Sequence, residues 1–199
     1  MDIIEKYGIK KIFTKVVKNV EEVKEVLEKY PRLVLKISTS QPIHKTELGL
    51  VRLNVTKENL MNEYEKLVNN AKKAGIDSSE IIVQEMADPG LELICGIKTD
   101  EQFGKVVLLG IGGIYTEIFK DISMRIAPIN KEDAYEMIEE LKYKDIFTAR
   151  GRKYNKEKIV EIVMKVNEIA MNEDIKELDL NPIILYENDY VVVDFRVIK

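Results

Sequence analysis

The sequence predicts a mixed α/β or α+β fold arranged as two lobes. Short apolar runs such as Leu33–Ile37 and Ile81–Met86 read as strands, and longer segments with apolar residues three and four apart read as helices. Both kinds occur in each half of the chain, so neither an all-helical nor an all-strand architecture fits. The 199 residues are enough to bury a sizeable core.

The elements follow in order. Asn19 caps a helix whose third residue is Glu22, a capping-box pattern. Val20, Val23, Val26, Leu27 and Tyr30 then fall at helical spacing, and Pro31 stops the helix. Leu33–Ile37 is a strand, Ser38–Leu50 a loop, and Val51–Val55 a second strand in which apolar residues alternate with Arg52 and Asn54. Thr56 opens a helix carrying Leu60, Tyr64, Leu67, Val68 and Ala71, which Gly75 ends. The second half begins with the strand Ile81–Met86 and the turn Asp88-Pro89-Gly90. Strands at Leu91–Ile97 and Val106–Leu109 lead into a glycine loop at Gly110, Gly112 and Gly113. Helices at 131–141 and 156–171 and strands at 175–179, 183–186 and 190–197 complete the chain. The lobe boundary falls near residues 80–86, which divides the chain into an N-terminal lobe, 1–83, and a C-terminal lobe, 84–199.

Composition excludes several classes. Hydrophobic residues make up 45% and charged residues 33%, the balance of a folded soluble domain. The net charge is -4 with no basic stripe, which argues against a dedicated nucleic-acid binder. A phosphate site remains open, because local lysines and backbone N–H groups build such sites. The single cysteine, Cys95, lies in an apolar run and reads as a buried inert thiol. No signal-peptide region and no run of membrane-spanning length are present, so the expected location is the cytoplasm, away from membranes.

Four groups of residues carry chemistry. Lys36 interrupts an apolar strand, so it points to solvent, pairs with an acid or meets an anionic ligand. Alternation puts it on a face with Val34, opposite Leu33, Leu35 and Ile37. His44, the only imidazole, lies in a loop followed by Lys45, Thr46 and Glu47, eight residues beyond Lys36. An imidazole with a neutral nitrogen is a competent phosphate nucleophile, although a lone surface histidine is the commoner case. Gly112 and Gly113 offer either a tight turn or close backbone approach to an anion, without Rossmann or Walker spacing. Glu117, Asp121 and Arg125 follow at intervals of four and align on one face only if the stretch is helical. Asn181 and Asp194 lie on two strands of a hairpin. An even loop centred between Glu187 and Asn188 makes them face one another and offer oxygen ligands suited to Mg²⁺; an odd loop separates them.

Together these segments resemble the ATP-grasp beta subunit of ADP-forming acetyl-CoA and related acyl-CoA synthetases, over nearly the whole chain. The resemblance rests on Val34–Ile37, Ile43–Glu47, Val83–Met86 with Glu92, Gly110–Glu117 through Asp121, Arg125 and Pro128, and Asp179–Pro182 with Asp194. It implies an ATP-grasp fold whose two lobes clamp a nucleotide, with ATP or ADP and Mg²⁺ as cofactors. It implies that Lys36 contacts phosphates, Gln84, Glu85 and Met86 form a hinge over adenine partly through backbone hydrogen bonds, and Glu92 holds the ribose. Asn181 and Asp194 are implied to bind Mg²⁺. His44 is implied to receive a phosphoryl group from a phosphohistidine on a CoA-binding alpha subunit and pass it to ADP, within a hetero-oligomer. Gly49, Gly112, Gly113, Glu117, Asp121 and Arg125 are candidates for a phosphate or partner loop. One departure stands out: Leu50 occupies a position where the family pattern has glycine, which alters backbone approach to phosphate there. Two other readings are a stand-alone ATP-grasp carboxylate ligase and a nucleotide-binding assembly subunit without turnover.

Overall fold

The structure, a computed structural model, describes residues 2–39, 47–76, 80–113 and 120–199. His44 and Glu117 lie outside the described residues. The chain divides into two compact units, Ile12–Met86 and Met1–Lys11 with Ala87–Lys199.

The smaller unit holds an antiparallel sheet of four strands, β1 (Thr14–Val17), β2 (Leu33–Ile37), β3 (Val51–Val55) and β4 (Ile81–Glu85), in the order β1-β4-β2-β3. Helices α2 (Val20–Lys29) and α3 (Leu60–Lys73) pack on it. Asn19 accepts the Glu22 amide at 3.0 Å, and its own side-chain nitrogen donates to Glu22 at 3.0 Å, so the reciprocal cap runs between side chains. Leu33, Leu35 and Ile37 are fully buried against Val23, Leu27, Leu60 and Leu67. Each such side chain contributes about 1.5–3 kcal/mol of apolar burial. The alternation expected for β2 therefore holds, and Lys36 lies on the sheet face away from the helices.

The larger unit holds a six-stranded sheet with the order β10-β8-β5-β6-β7, and β9 pairs with β8. Its strands are β5 (Leu91–Asp100), β6 (Gly104–Ile111), β7 (Ile122–Ile126), β8 (Glu177–Leu185), β9 (Tyr190–Val192) and β10 (Phe195–Ile198). Helices α4 (Lys131–Glu140) and α5 (Lys156–Asn172) bury Met137, Ile138, Ile159, Val163 and Val166 against alternate residues of β5 and β6. Every strand pair in both sheets is antiparallel, which makes the class α+β.

The units differ from the division at residues 83 and 84. The strand containing Gln84 and Glu85 pairs with β1 and β2, so both residues stay with the first sheet. Residues 1–11 belong with the second core. Helix α1 (Ile3–Lys6) buries Ile4 there, Lys6 pairs with Glu173 at 2.6 Å, and Val192 donates to the Lys10 carbonyl at 2.9 Å. Those partners lie more than 160 residues away in sequence, beyond the reach of local pattern.

β7 decides the condition set on the alignment of Asp121 and Arg125. Residues 122–126 are a strand, so Asp121 and Arg125 do not align along a helix. The buried Asp121 carboxylate accepts the amides of Lys142 and Tyr143 at 2.8 and 3.0 Å and anchors the end of α4. Arg125 forms a two-pronged pair with Glu140, at 2.8 and 2.6 Å. Those contacts tie β7 to α4. Hydrogen bonds from Arg125 and then Ser123 hold the Glu140 carboxyl down at about 2. A depressed folded value means that this stabilisation is present above the unfolded pKa, about 4.3, and is lost as pH falls through about 2. Glu140 is 51% exposed, so the pair contributes under about 1 kcal/mol. Arg125→Met should lower stability slightly at neutral pH and flatten the loss of stability between pH 5 and 2. Urea titrations at three pH values measure this.

Candidate functional site

On the open face of the smaller sheet, register places Lys36 between Ile82 of β4 and Val51 of β3, with Val16 of β1 beyond Ile82. The next row across carries Thr14, Gln84 and Val34. Lys36 thus stands on a central strand beside Val16, Ile82, Val51 and Val34, and Thr14 and Gln84 add polar groups to the same face. The Gln84 side-chain nitrogen donates to the Thr14 hydroxyl at 3.1 Å, which fixes the amide on this face. Met86 follows on the same face by strand alternation, four residues along from Ile82, or about 13 Å from the Lys36 row. Such a face offers a cation suited to phosphate and, one row and more along, the apolar Val34 and Met86 side chains suited to a flat ring.

The hinge expectation needs one adjustment. The Glu85 amide donates to the Phe13 carbonyl and the Met86 amide to the Arg32 carbonyl, at 3.1 and 3.0 Å. Both N–H groups are engaged in holding the strand, so neither is spare for a base.

In the larger unit, Glu92 is exposed on β5, opposite Ile184 of β8. Gly112 donates its amide to the Glu92 carbonyl at 2.7 Å. Gly113 has φ 73°, and a Cβ there would lie 2.8 Å from a Glu92 carboxylate oxygen. Gly112 and Gly113 thus leave room for the Glu92 side chain, and Gly110 belongs to β6 rather than to the loop.

Asn181 and Asp194 face each other. Paired residues from Glu177–Ile198 to Leu185–Tyr190 keep one register, centred between Glu187 and Asn188, and Tyr186 donates to the Asp189 carbonyl at 2.8 Å. This is the even loop, and the Asn181 amide donates to the Asp194 carbonyl at 3.0 Å. The core-facing parity of β8 switches here, from Leu178 and Leu180 to Ile183 and Leu185. Both side chains are exposed at the switch.

Asp179, two residues before Asn181, was not singled out by sequence reasoning. Burial pushes its carboxyl above the usual range; Arg196 pulls it back, and Glu177 and Asp194 push it further up. Its place on the outward side of the same strand as Asn181 was the available signal. Among the described residues no group of three or more His, Cys, Asp or Glu is placed to hold a metal. An amide and a carboxylate oxygen facing one another, with a second acid adding negative potential, fit Mg²⁺, which uses few protein ligands and fills its shell with water and phosphate.

Comparisons with known proteins give the family of the chain. The ATP-grasp domain family matches residues 1–198. The beta subunit of ADP-forming acetate–CoA ligase I from Pyrococcus furiosus is 41% identical over 99% of this chain and 88% of its own length. This chain is an ATP-grasp protein of the ADP-forming acetate–CoA ligase beta-subunit family. A structure of the Candidatus Korarchaeum cryptofilum dinucleotide forming acetyl-coenzyme A synthetase 1, in complex with coenzyme A and Ca-AMPCP, superposes with a TM-score of 0.90. It is 37% identical and covers 98% of this chain and 88% of that one. The ADP-forming acetate–CoA ligase I of Archaeoglobus fulgidus is 36% identical, and the chain spans 30% of its length. The Pyrococcus relative is named as one subunit, which places this ATP-grasp family among enzymes built from more than one part.

The ATP-grasp assignment bears on Leu50. Its side chain is fully buried with Leu33, Leu35 and Ile37 in the helix-side core, and its carbonyl accepts the Ile37 amide at 3.1 Å. It therefore points away from the open face, and its bulk does not obstruct that face. Gly49 has φ 63° and its carbonyl accepts from Asn70 at 3.1 Å, so it is tied to α3. No helix among the described residues is long and apolar enough to cross a membrane. Cys95 is buried, which pushes its thiol up to about 12 and makes it inert.

Asn181→Ala and Asp194→Ala should each weaken Mg-nucleotide binding while the fold persists, because both side chains are outward. Calorimetry with and without Mg²⁺ measures this; the same metal dependence in both variants and the parent would refute the assignment.

Proposed function

We propose that the chain is the nucleotide-binding beta subunit of an ADP-forming acetate or acyl-CoA ligase. The reaction is acyl-CoA + phosphate + ADP ⇌ acid + CoA + ATP, run with a CoA-binding alpha subunit that carries a phosphohistidine. The observation that carries this reading is the hairpin register that sets Asn181 opposite Asp194, within a chain so similar to named ligase beta subunits. A further Korarchaeum structure, with Mg-AMPPCP and a phosphohistidine segment pointing towards the nucleotide-binding site, supports the same chemistry.

In this mechanism Lys36 holds phosphate oxygens, the Gln84–Met86 segment receives the base, and Glu92 accepts hydrogen bonds from the ribose hydroxyls. Asn181 and Asp194 hold Mg²⁺, which when bound neutralises charge on the phosphates. A neutral His44 nitrogen attacks the partner's phosphohistidine: a P–N bond forms to His44 as the partner's P–N bond breaks, and the departing imidazole takes up the proton that His44 sheds. A terminal oxygen of ADP then attacks, the P–O bond of ATP forms as the P–N bond to His44 breaks, and the leaving His44 nitrogen takes up a proton from solvent. The chain's contribution is positioning and charge neutralisation rather than acid–base chemistry.

The two other readings have less support. The Leu50 side chain is buried in the helix-side core and does not itself argue for a subunit without turnover, and the named relatives argue against a stand-alone carboxylate ligase. The isolated chain should form no acyl-CoA from acetate, CoA and ATP, and adding the CoA-binding subunit should restore synthesis. Robust synthesis by the isolated chain would overturn the subunit assignment.

A further inference from the structure

Asn54 has a left-handed backbone, φ 55°, which residues other than glycine seldom adopt and Asn tolerates best. The cause is a bulge in β3. Leu33 faces Val55 and Leu35 faces Arg52, so two residues of β3, Leu53 and Asn54, stand against the single Val34 of β2. The bulge is held from α3. The Asn59 side chain donates to the Asn54 carbonyl at 2.9 Å and accepts the Thr56 amide at 2.8 Å. Held this way, the Asn54 amide points at the Met86 sulfur, 3.4 Å away. The Met86 backbone is itself fixed by its bond to Arg32. A methionine side chain has three freely turning bonds and settles poorly without such a contact. Leu53, from the same bulge, is 58% exposed beside it in sequence.

We propose that Asn54 is a positioning residue of the nucleotide site: its left-handed amide holds the Met86 thioether as a fixed apolar wall for the purine ring. This rests on the nucleotide-binding reading above. It assigns to the β3 bulge a role in base affinity separate from the phosphate contacts around Lys36. The identity of residue 54 then matters through its backbone. Glycine can keep the left-handed turn, whereas a β-branched residue cannot.

The test uses the full chain and calorimetric titration with ADP and with inorganic tripolyphosphate, both with Mg²⁺. Asn54→Val should raise the ADP dissociation constant about three- to tenfold, the effect of one lost hydrogen bond, and leave tripolyphosphate binding unchanged. Asn54→Gly should bind ADP like the parent. Met86→Leu, which keeps the volume and removes the acceptor, should match Asn54→Val, and the double variant should lose no more than either single one. Equal loss for ADP and tripolyphosphate, failure of Asn54→Gly to retain affinity, or unchanged ADP binding in Met86→Leu overturns the proposal. The last result decides even if Asn54→Val does not fold. A parent protein that binds tripolyphosphate but shows no preference for ADP would instead overturn the nucleotide reading beneath it.

Discussion

His44→Ala is expected to abolish the phosphoryl label on this chain and reduce acyl-CoA turnover to background, while ADP binding persists. His44 is the sole histidine of the sequence, so no second imidazole can take its place. Incubated with radiolabelled ATP and Mg²⁺, or with the phosphorylated partner, the parent protein should acquire a label stable in alkali and labile in acid. A phosphoramidate behaves this way, and a serine or threonine ester does not. The effect should be complete rather than partial, because removing a covalent carrier removes the route and not just an interaction. Persistence of ADP binding is the other half of the expectation, since Lys36 is held by β2 and Gln84 and Glu85 by β4, and the substitution alters neither strand. Label that survives in His44→Ala, or that withstands acid, would place the phosphate elsewhere.

Lys36→Ala is expected to weaken ADP binding by about 1.5–3 kcal/mol, roughly tenfold to a hundredfold, through the phosphates. Adenosine, which lacks them, should bind equally to variant and parent. The fold should be retained. Lys36 sits on the face of β2 away from the helix-side core, and the residues that stabilise the strand, Leu33, Leu35 and Ile37, remain. Equal loss for ADP and adenosine would mean that Lys36 acts through the sheet instead of through phosphate.

Much of this arrangement was readable in the sequence because it depends on local periodicity. The alternation of β2 assigned Lys36 to its face. The symmetric spacing of the final strands about Glu187 and Asn188 stated the condition under which Asn181 meets Asp194, and the register satisfies it. Helix α2 announced itself through its cap and apolar spacing and α3 through apolar spacing, although α3 begins at Leu60 rather than at Thr56. Strand β1 did not, since three of its four residues are exposed and its identity comes from pairing with β4, about seventy residues on.

What the sequence alone determined is therefore the set of faces: which residues of each strand and helix must be buried, and so which chemical groups are left outward. Side-chain alternation and helical pitch are properties of neighbouring residues, and they survive without knowledge of any partner. The tertiary structure alone decided which outward groups are available for chemistry. Asp121 meets the amides beyond α4 and Arg125 the carboxylate of Glu140, contacts that their spacing in the sequence does not show. The side chain of Leu50 goes to the helix-side core, which its position in the loop segment does not announce. Residues 1–11 look like the start of the first lobe until Ile4 and Ile9 are buried in the second. Each of these depends on a contact between segments far apart in the chain. Apolar burial and the satisfaction of charged groups are decided by whichever partner the whole fold brings near, and no local pattern records that partner.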